Sequence, residues 1–352
     1  MKPELLIHIG HGKTGSTAIQ KCLRAAAPDL EANGIYFPDP AKHDNHQDIF
    51  VHLTGSPKYA TPKGQSEEQR RAYCAAQWDS ALAHVTATQP ERVILSCENQ
   101  FRPFSKDAFE RMNGLLAPHF SKIDVMAYLR SPSSYFLSAV QQELKKRPEF
   151  DLPSASRYRD TLEPWRDMGP GPLTAHLFAR DALHNGNVVE DFWHRYLPEM
   201  DAGTIPQLVD VNTTVSAEAM DVFQDFFRGK FAAPARYYAK RDQRMKALIR
   251  QADADVAGGT KPRLLDGLRE IIDARCTDLD WLEQEFGITF TDLQPSNMTA
   301  DDADAIYNTW RDVSDICPVD ADRKAALMAK ITDIAKRDQS LTAKLRRAFT
   351  RG

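Results

Sequence analysis

Over residues 1–200 short apolar runs alternate with longer stretches of helical period, and that alternation confines the chain to a parallel sheet covered by helices. Strands are expected at 4–9, 34–37, 92–97, 123–129 and 173–178. The first helix is expected to start at Ser16, whose hydroxyl suits a helix N-terminus, and to end before Pro28. A polar, histidine-bearing loop, KHDNHQDIFVH, then precedes an amphipathic helix over 71–86. Beyond Pro206 the pattern turns helical, as in SAEAMDVFQDFF and DLDWLEQEFGITF, where apolar residues recur at helical spacing. The expected organisation is an α/β core over 1–200, a helical continuation of the same domain over 201–319 and a basic C-terminal helix or tail over 320–352. That last segment holds nine Lys or Arg against four Asp, which suits a solvated helix better than one lying on an acidic membrane surface.

With 352 residues, 42% of them hydrophobic and 27% charged, the chain can bury a substantial core. A formal charge of -4 argues against a protein that coats nucleic acid, so any anion site must be local. The five cysteines, Cys22, Cys74, Cys97, Cys276 and Cys317, are scattered without C-x-x-C spacing. They indicate reduced thiols rather than a disulfide framework or a zinc site. The N-terminus runs straight into a strand without the marks of a signal peptide, and no apolar stretch reaches the length of a membrane span. A soluble cytoplasmic protein is expected.

Between the first strand and the first helix lies HIGHGKTGSTAIQ, residues 8–20. A Walker A loop needs G-x-x-x-x-G-K-[ST], and ending it at Gly12-Lys13-Thr14 puts Ile7 where the first glycine must stand. Spacing therefore excludes the ATP loop. What the run offers is Lys13 ahead of Gly15, Ser16 and Thr17, whose backbone amides form an anion nest at a helix N-terminus. Lys13 can then reach the outer side of the bound group.

A second run, MAYLRSPSSYFLSAVQ over 126–141, ends a hydrophobic strand in Arg130, starts a helix with a proline and carries Ser138 eight residues beyond the arginine. A guanidinium presents paired, planar donors to a phosphate, and charge-assisted bonds of this kind contribute about 1.5–3 kcal/mol each.

Together the two runs resemble the sulfotransferases that use 3'-phosphoadenosine 5'-phosphosulfate (PAPS). The order strand, G-x-x-K-T-G-S-T, helix is similar to their 5'-phosphosulfate loop, and Arg130 with Ser138 to their 3'-phosphate element. LHNGNVVEDFWHRYL, VNTTVSAEAM and DLDWLEQEFGITF look like segments of bacterial carbohydrate-modifying members, so the likeness covers most of 4–291. One departure is His176 in AHLFARD, where such proteins tend to carry a basic residue; Arg180 lies nearby. The resemblance implies a P-loop NTPase-like, three-layer α/β fold with a central, mostly parallel sheet and a helical C-terminal elaboration. It also implies PAPS as co-substrate, no metal, and a hydroxyl-bearing acceptor, a glycan or polysaccharide precursor. On this sequence Gly12, Lys13, Thr14, Gly15, Ser16 and Thr17 would hold the phosphosulfate end, and Arg130 and Ser138 the 3'-phosphate.

Sulfuryl transfer needs an in-line nucleophile and a stabilised leaving group, so positioning and electrostatics carry the catalysis. Lys13 can neutralise charge growing on the bridging oxygen. The acceptor hydroxyl needs a base projecting from another strand's carboxyl end, and Glu98, after RVILSC, meets that description, with His46 as the alternative. His43, His46 and His52 share a polar loop without a carboxylate partner, which suits substrate contact or plain surface histidines better than a metal. Lys145, Lys146 and Arg147 read as a solvated helix end, with attraction of an acidic glycan as the alternative. Tyr158 and Trp165 suit adenine stacking and core packing equally. Two rival functions are a P-loop kinase or other phosphotransferase and a non-catalytic nucleotide- or glycan-binding relative.

Overall fold

The computed structural model describes residues 2–40, 44–55, 65–150, 154–206, 214–229, 241–294 and 296–349, and its contacts divide the chain into two compact units. The first comprises Met1–Ser131, Ser154–Asp210 and Cys276–Asp292. It is α/β, with an all-parallel five-stranded sheet of β1 (Glu4–His8), β2 (Ile35–Tyr36), β3 (Arg92–Ser96), β4 (Lys122–Leu129) and β5 (Leu173–Leu177) in the order β2-β3-β1-β4-β5. The central strand β1 is buried from Leu5 to His8, which is why its sequence is a continuous apolar run rather than an alternating one. In register, His8 pairs with Ser96 of β3 on one side and Met126 of β4 on the other. The chain leaves β1 toward the β3 side and leaves β4 toward β5, so the connections reverse direction between these two adjacent strands. In such sheets that is where ligands bind, at the carboxyl ends of the strands.

Helices flank this sheet. α1 (Ser16–Ala25) and the helices Ala27–Ala32 and Val188–Tyr196 bring Ile19, Leu23, Leu30, Phe192 and Trp193 into one cluster with Leu6, Ile94, Met126 and Tyr128. The helix expected over 71–86 begins earlier, at Glu67, because Ser66 and Gln69 close a reciprocal capping box. A larger difference lies in the histidine-bearing segment, whose second half is a helix, Gln47–Thr54. Ile49, Phe50 and Leu53 are buried there at helical spacing, and the apolar stripe outweighs the polar residues around it.

The second unit comprises Pro132–Pro153, Val211–Arg275 and Leu293–Gly352 and is helical, with Phe136, Val140, Met220, Phe223, Ile249, Tyr307, Val313, Leu327 and Ile331 in its core. The C-terminal helix Ala321–Phe349 was expected to be solvated, yet Leu327 and Ile331 on it are buried. Arg323 is buried too, with Glu218 at 2.7 Å and Asp253 at 2.8 Å. Lys145, expected at a solvated helix end, is likewise buried. All five cysteines are free thiols. Among the described residues no helix is long and apolar enough to cross a membrane.

Candidate functional site

The loop after β1 is built from left-handed backbone at Gly10 (φ 47), Lys13 (φ 70) and Gly15 (φ 77). Glycine is required twice. A Cβ on Gly10 would lie 2.7 Å from Ser16 Oγ and 3.0 Å from Glu98 Cα, and one on Gly15 would lie 2.5 Å from Val188 Cγ1. Lys13 has no such excuse, and a left-handed lysine costs about 1–2 kcal/mol that the surrounding contacts must supply. One of those contacts is the Thr14 hydroxyl, which donates to the His11 carbonyl across the turn.

α1 starts at Ser16 with Gly15 as its N-cap, without a side-chain cap and without an acidic residue in its first turn. Its leading amides and the positive end of its dipole are therefore uncompensated by side chains. Ser16, expected to serve the helix end, stands one residue too far in to do so. Its buried hydroxyl has no hydrogen-bond partner among the described residues, a state that costs roughly 1–3 kcal/mol and that an anion's oxygen would relieve. Gly12 and Thr17 are half-buried beside it, and Lys13 is exposed.

Arg130 follows β4 directly, half-buried, and its Nη1 donates to the Lys13 carbonyl at 3.2 Å. The carbonyl of Arg130 accepts from the Tyr158 hydroxyl at 2.6 Å, and its guanidinium lies 5.9 Å from the Phe178 ring. Burial lowers the pKa of this arginine, against the opposing pull of Asp292. The backbone N–H of Arg130 also approaches Nδ1 of His11 at 3.4 Å, and Arg157 Nε donates toward Nε2 of the same ring at 3.2 Å. A neutral imidazole accepts at one nitrogen only, so His11 serves one of these donors at a time. Its burial, then Arg157 and Arg130, hold its pKa well below the ordinary histidine value. The loop thus carries a neutral ring flanked by two arginines. Ser138 is half-buried on Pro132–Leu144, a helix of the second unit, so the first unit's cluster contains Arg130 but not Ser138.

Glu98 opens the short 3-10 helix Glu98–Gln100 one residue beyond Cys97 at the end of β3. Its Oε2 accepts from Gln20 Nε2 of α1 at 2.9 Å and from Asn45 Nδ2 at 3.2 Å. Two neutral amides thus orient the carboxylate while Oε1 has no protein donor among the described residues. Gln20 also donates to Ser96 Oγ at 3.1 Å, and Ser96 Oγ lies 2.9 Å from His8 Nδ1. A buried polar chain, His8–Ser96–Gln20–Glu98, therefore runs from the central strand to the carboxylate. Burial pushes His8 down to about 3, so it is neutral at any physiological pH.

His46 is held differently. Its Nε2 donates to the Pro38 carbonyl at 2.7 Å and its Nδ1 accepts from the Ser96 N–H at 2.9 Å. Both ring nitrogens are engaged, and burial outweighs these bonds to lower its pKa to about 4. His52 is half-buried and gives its carbonyl to Arg111; His43 lies outside the described residues. Trp165 is fully buried, donating to the Gln100 carbonyl at 3.2 Å with its ring edge-on to Phe104 and Phe109. Tyr158 is also buried, so both are core residues. His176 meets the Tyr196 hydroxyl at 2.6 Å, and burial lowers its pKa to about 4. Among the described residues no group of His, Cys, Asp and Glu is arranged to hold a metal ion.

Sequence reasoning missed Gln20, Asn45, His11 and Arg157. Gln20 and Asn45 reach Glu98 across 78 and 53 residues, a distance over which the sequence carries no local signal. His11 alone was findable, as the residue between two glycines of the loop. Compared with known proteins, the sequence matches no family model and no curated protein.

Proposed function

We propose that the chain transfers a sulfuryl group from PAPS to a carbohydrate hydroxyl, on a P-loop NTPase-like three-layer α/β scaffold. Support comes from one convergence: the uncapped start of α1, half-buried Arg130 and the Glu98 carboxylate follow the carboxyl ends of three adjacent parallel strands, β1, β4 and β3. The residues fit such a co-substrate on independent grounds. The orphaned Ser16 hydroxyl and the Gly10 and Gly15 backbone form a cradle that wants anionic oxygens, and Arg130 is a partly desolvated cation without an ion pair to any described carboxylate.

In this function the amides of Gly15, Ser16 and Thr17, with Gly12 and Thr14 shaping the turn, bind the 5'-phosphate. Lys13 neutralises negative charge growing on the bridging oxygen as the S–O bond to that phosphate breaks. Arg130 binds the 3'-phosphate. Glu98 uses Oε1 to take the proton from the acceptor hydroxyl while a new S–O bond forms to that oxygen, with Gln20 and Asn45 fixing Oε2. The products are a sulfate ester and adenosine 3',5'-bisphosphate. His46, with both nitrogens engaged, is the weaker candidate for the base. Free thiols throughout suit a reducing, cytoplasmic setting.

Transfer of sulfur-35 from labelled PAPS to a panel of carbohydrate acceptors tests this function. Label should appear on an acceptor with the native chain, and Glu98→Gln should lower the rate by about 100-fold or more, the contribution of a positioned base. Bisphosphate binding with no transfer to any acceptor would instead point to a non-catalytic binding protein.

A further inference from the structure

Three polar side chains lie fully buried in the core of the first unit: His8 on β1, Ser96 on β3 and Gln20 on α1. Sheet register makes His8 and Ser96 lateral neighbours, so their side chains share one face of the sheet. The hydrogen bonds among them run in one direction. Gln20 Nε2 is the donor to Ser96 Oγ at 3.1 Å and to Glu98 Oε2 at 2.9 Å, because the amide oxygen in its place would face a carboxylate oxygen. Asn45 is fixed likewise: its Oδ1 accepts from the Gln47 N–H at 3.1 Å, which leaves Nδ2 for Glu98. With Gln20 donating to it, Ser96 Oγ must send its own proton onward. His8 Nδ1, at 2.9 Å, is its other hydrogen-bond partner among the described residues. His8 must therefore accept at Nδ1 and carry its proton on Nε2.

The opposite tautomer is worse paired. A proton on Nδ1 would make Ser96 Oγ accept twice, leaving the serine proton without an acceptor and Nε2 without a donor among the described residues. With the proton on Nε2, one N–H alone is left over between the two side chains. The rings of Tyr128 and Phe192 are centred 6.3 and 6.0 Å from the imidazole, and an aromatic face is a weak acceptor for such a group. Burial keeps the ring neutral, with a pKa of about 3, so the arrangement persists at physiological pH. We propose that Gln20, Ser96 and His8 are positioning residues for the base. Neutral His8 turns the Ser96 hydroxyl toward itself, which holds the Gln20 amide donor-first against Glu98 Oε2 and leaves Oε1 for the acceptor hydroxyl. The base role rests on the sulfotransferase function; the direction of the hydrogen bonds does not.

Two measurements on the full chain separate these. Nitrogen-15 NMR of the His8 ring at pH 7, assigned through the residue's own backbone, should show a protonated Nε2 and a bare Nδ1. In Ser96→Ala one of the two Gln20 amide protons loses its acceptor, so its signal should shift and exchange faster with water. In turnover with labelled PAPS, Gln20→Met, which keeps the length and removes the donor, should lower kcat roughly 10–100-fold, and Ser96→Ala about tenfold. Bisphosphate affinity and the KM for PAPS should stay near native in both variants, whereas a merely structural defect would reduce binding and turnover alike. A protonated Nδ1 in His8, unaltered Gln20 signals in Ser96→Ala, or native kcat in both variants would overturn the proposal. A chain with the expected signals that transfers nothing to any acceptor keeps these hydrogen bonds and loses the sulfotransferase function.

Discussion

Lys13 and Arg130 divide the labour of the candidate site in a way that substitutions can separate. The Lys13 side chain is exposed on a strained backbone, and in the proposed function its charge acts on a group that changes during reaction. Arg130 is half-buried and braces the loop through the Lys13 carbonyl, so its charge acts on whatever is bound throughout. Lys13→Ala should lower kcat by roughly 10²–10³ and leave bisphosphate affinity within a few-fold, because its contribution belongs to the transition state. Arg130→Ala should weaken bisphosphate binding about tenfold or more. Wild-type affinity in that variant would remove Arg130 from the nucleotide site. At this scale Lys13, Ser16, Glu98 and Arg130 were legible because each follows a strand end in the sequence. Their supports were not, since Gln20, Asn45 and Arg157 are joined to the site only by folding.

At the scale of elements, the strands were legible, β1 and β3 most clearly because strands buried on both faces of a parallel sheet leave contiguous apolar runs. The helix Gln47–Thr54 was hidden by the polar residues that precede it, and the C-terminal helix by its basic composition. Charge count misled there because Arg323 is internal. Its Nη1 donates to Glu218 at 2.7 Å and Ser216 Oγ at 2.6 Å, and its Nη2 to Asp253 at 2.8 Å, joining three helices of the second unit. Arg323→Ala would leave Glu218 and Asp253 facing each other's side of the core without a cation. The expected loss is about 3–5 kcal/mol, the effect of removing one partner from a buried ionic network. Urea unfolding measures it, and a loss below about 0.5 kcal/mol, as for an ordinary surface change, would show the network to be solvated.

Across the whole molecule, three fully buried histidines, His8, His11 and His46, tie stability to pH. Burial lowers all three, His8 to about 3, His46 to about 4 and His11 well below its ordinary value. The native state therefore keeps them neutral where the unfolded chain binds protons, so their contribution is complete above about pH 6.5 and is lost as pH falls toward their native values. Thermal unfolding followed from pH 7 to pH 5 should show Tm falling with uptake of up to about three protons from these residues, each worth roughly 1.4 kcal/mol per pH unit. A Tm independent of pH over that range would mean that the rings are protonated in the native state. The parallel sheet and its reversal point explain why a loop, an arginine and a carboxylate far apart in sequence share one end of the first unit. What they hold is tested most directly by calorimetric titration of the native chain with adenosine 3',5'-bisphosphate, without added magnesium, and separately with magnesium ATP. Saturable one-to-one binding of the bisphosphate, tighter than that of magnesium ATP, is the predicted result; binding of magnesium ATP with none of the bisphosphate would contradict it.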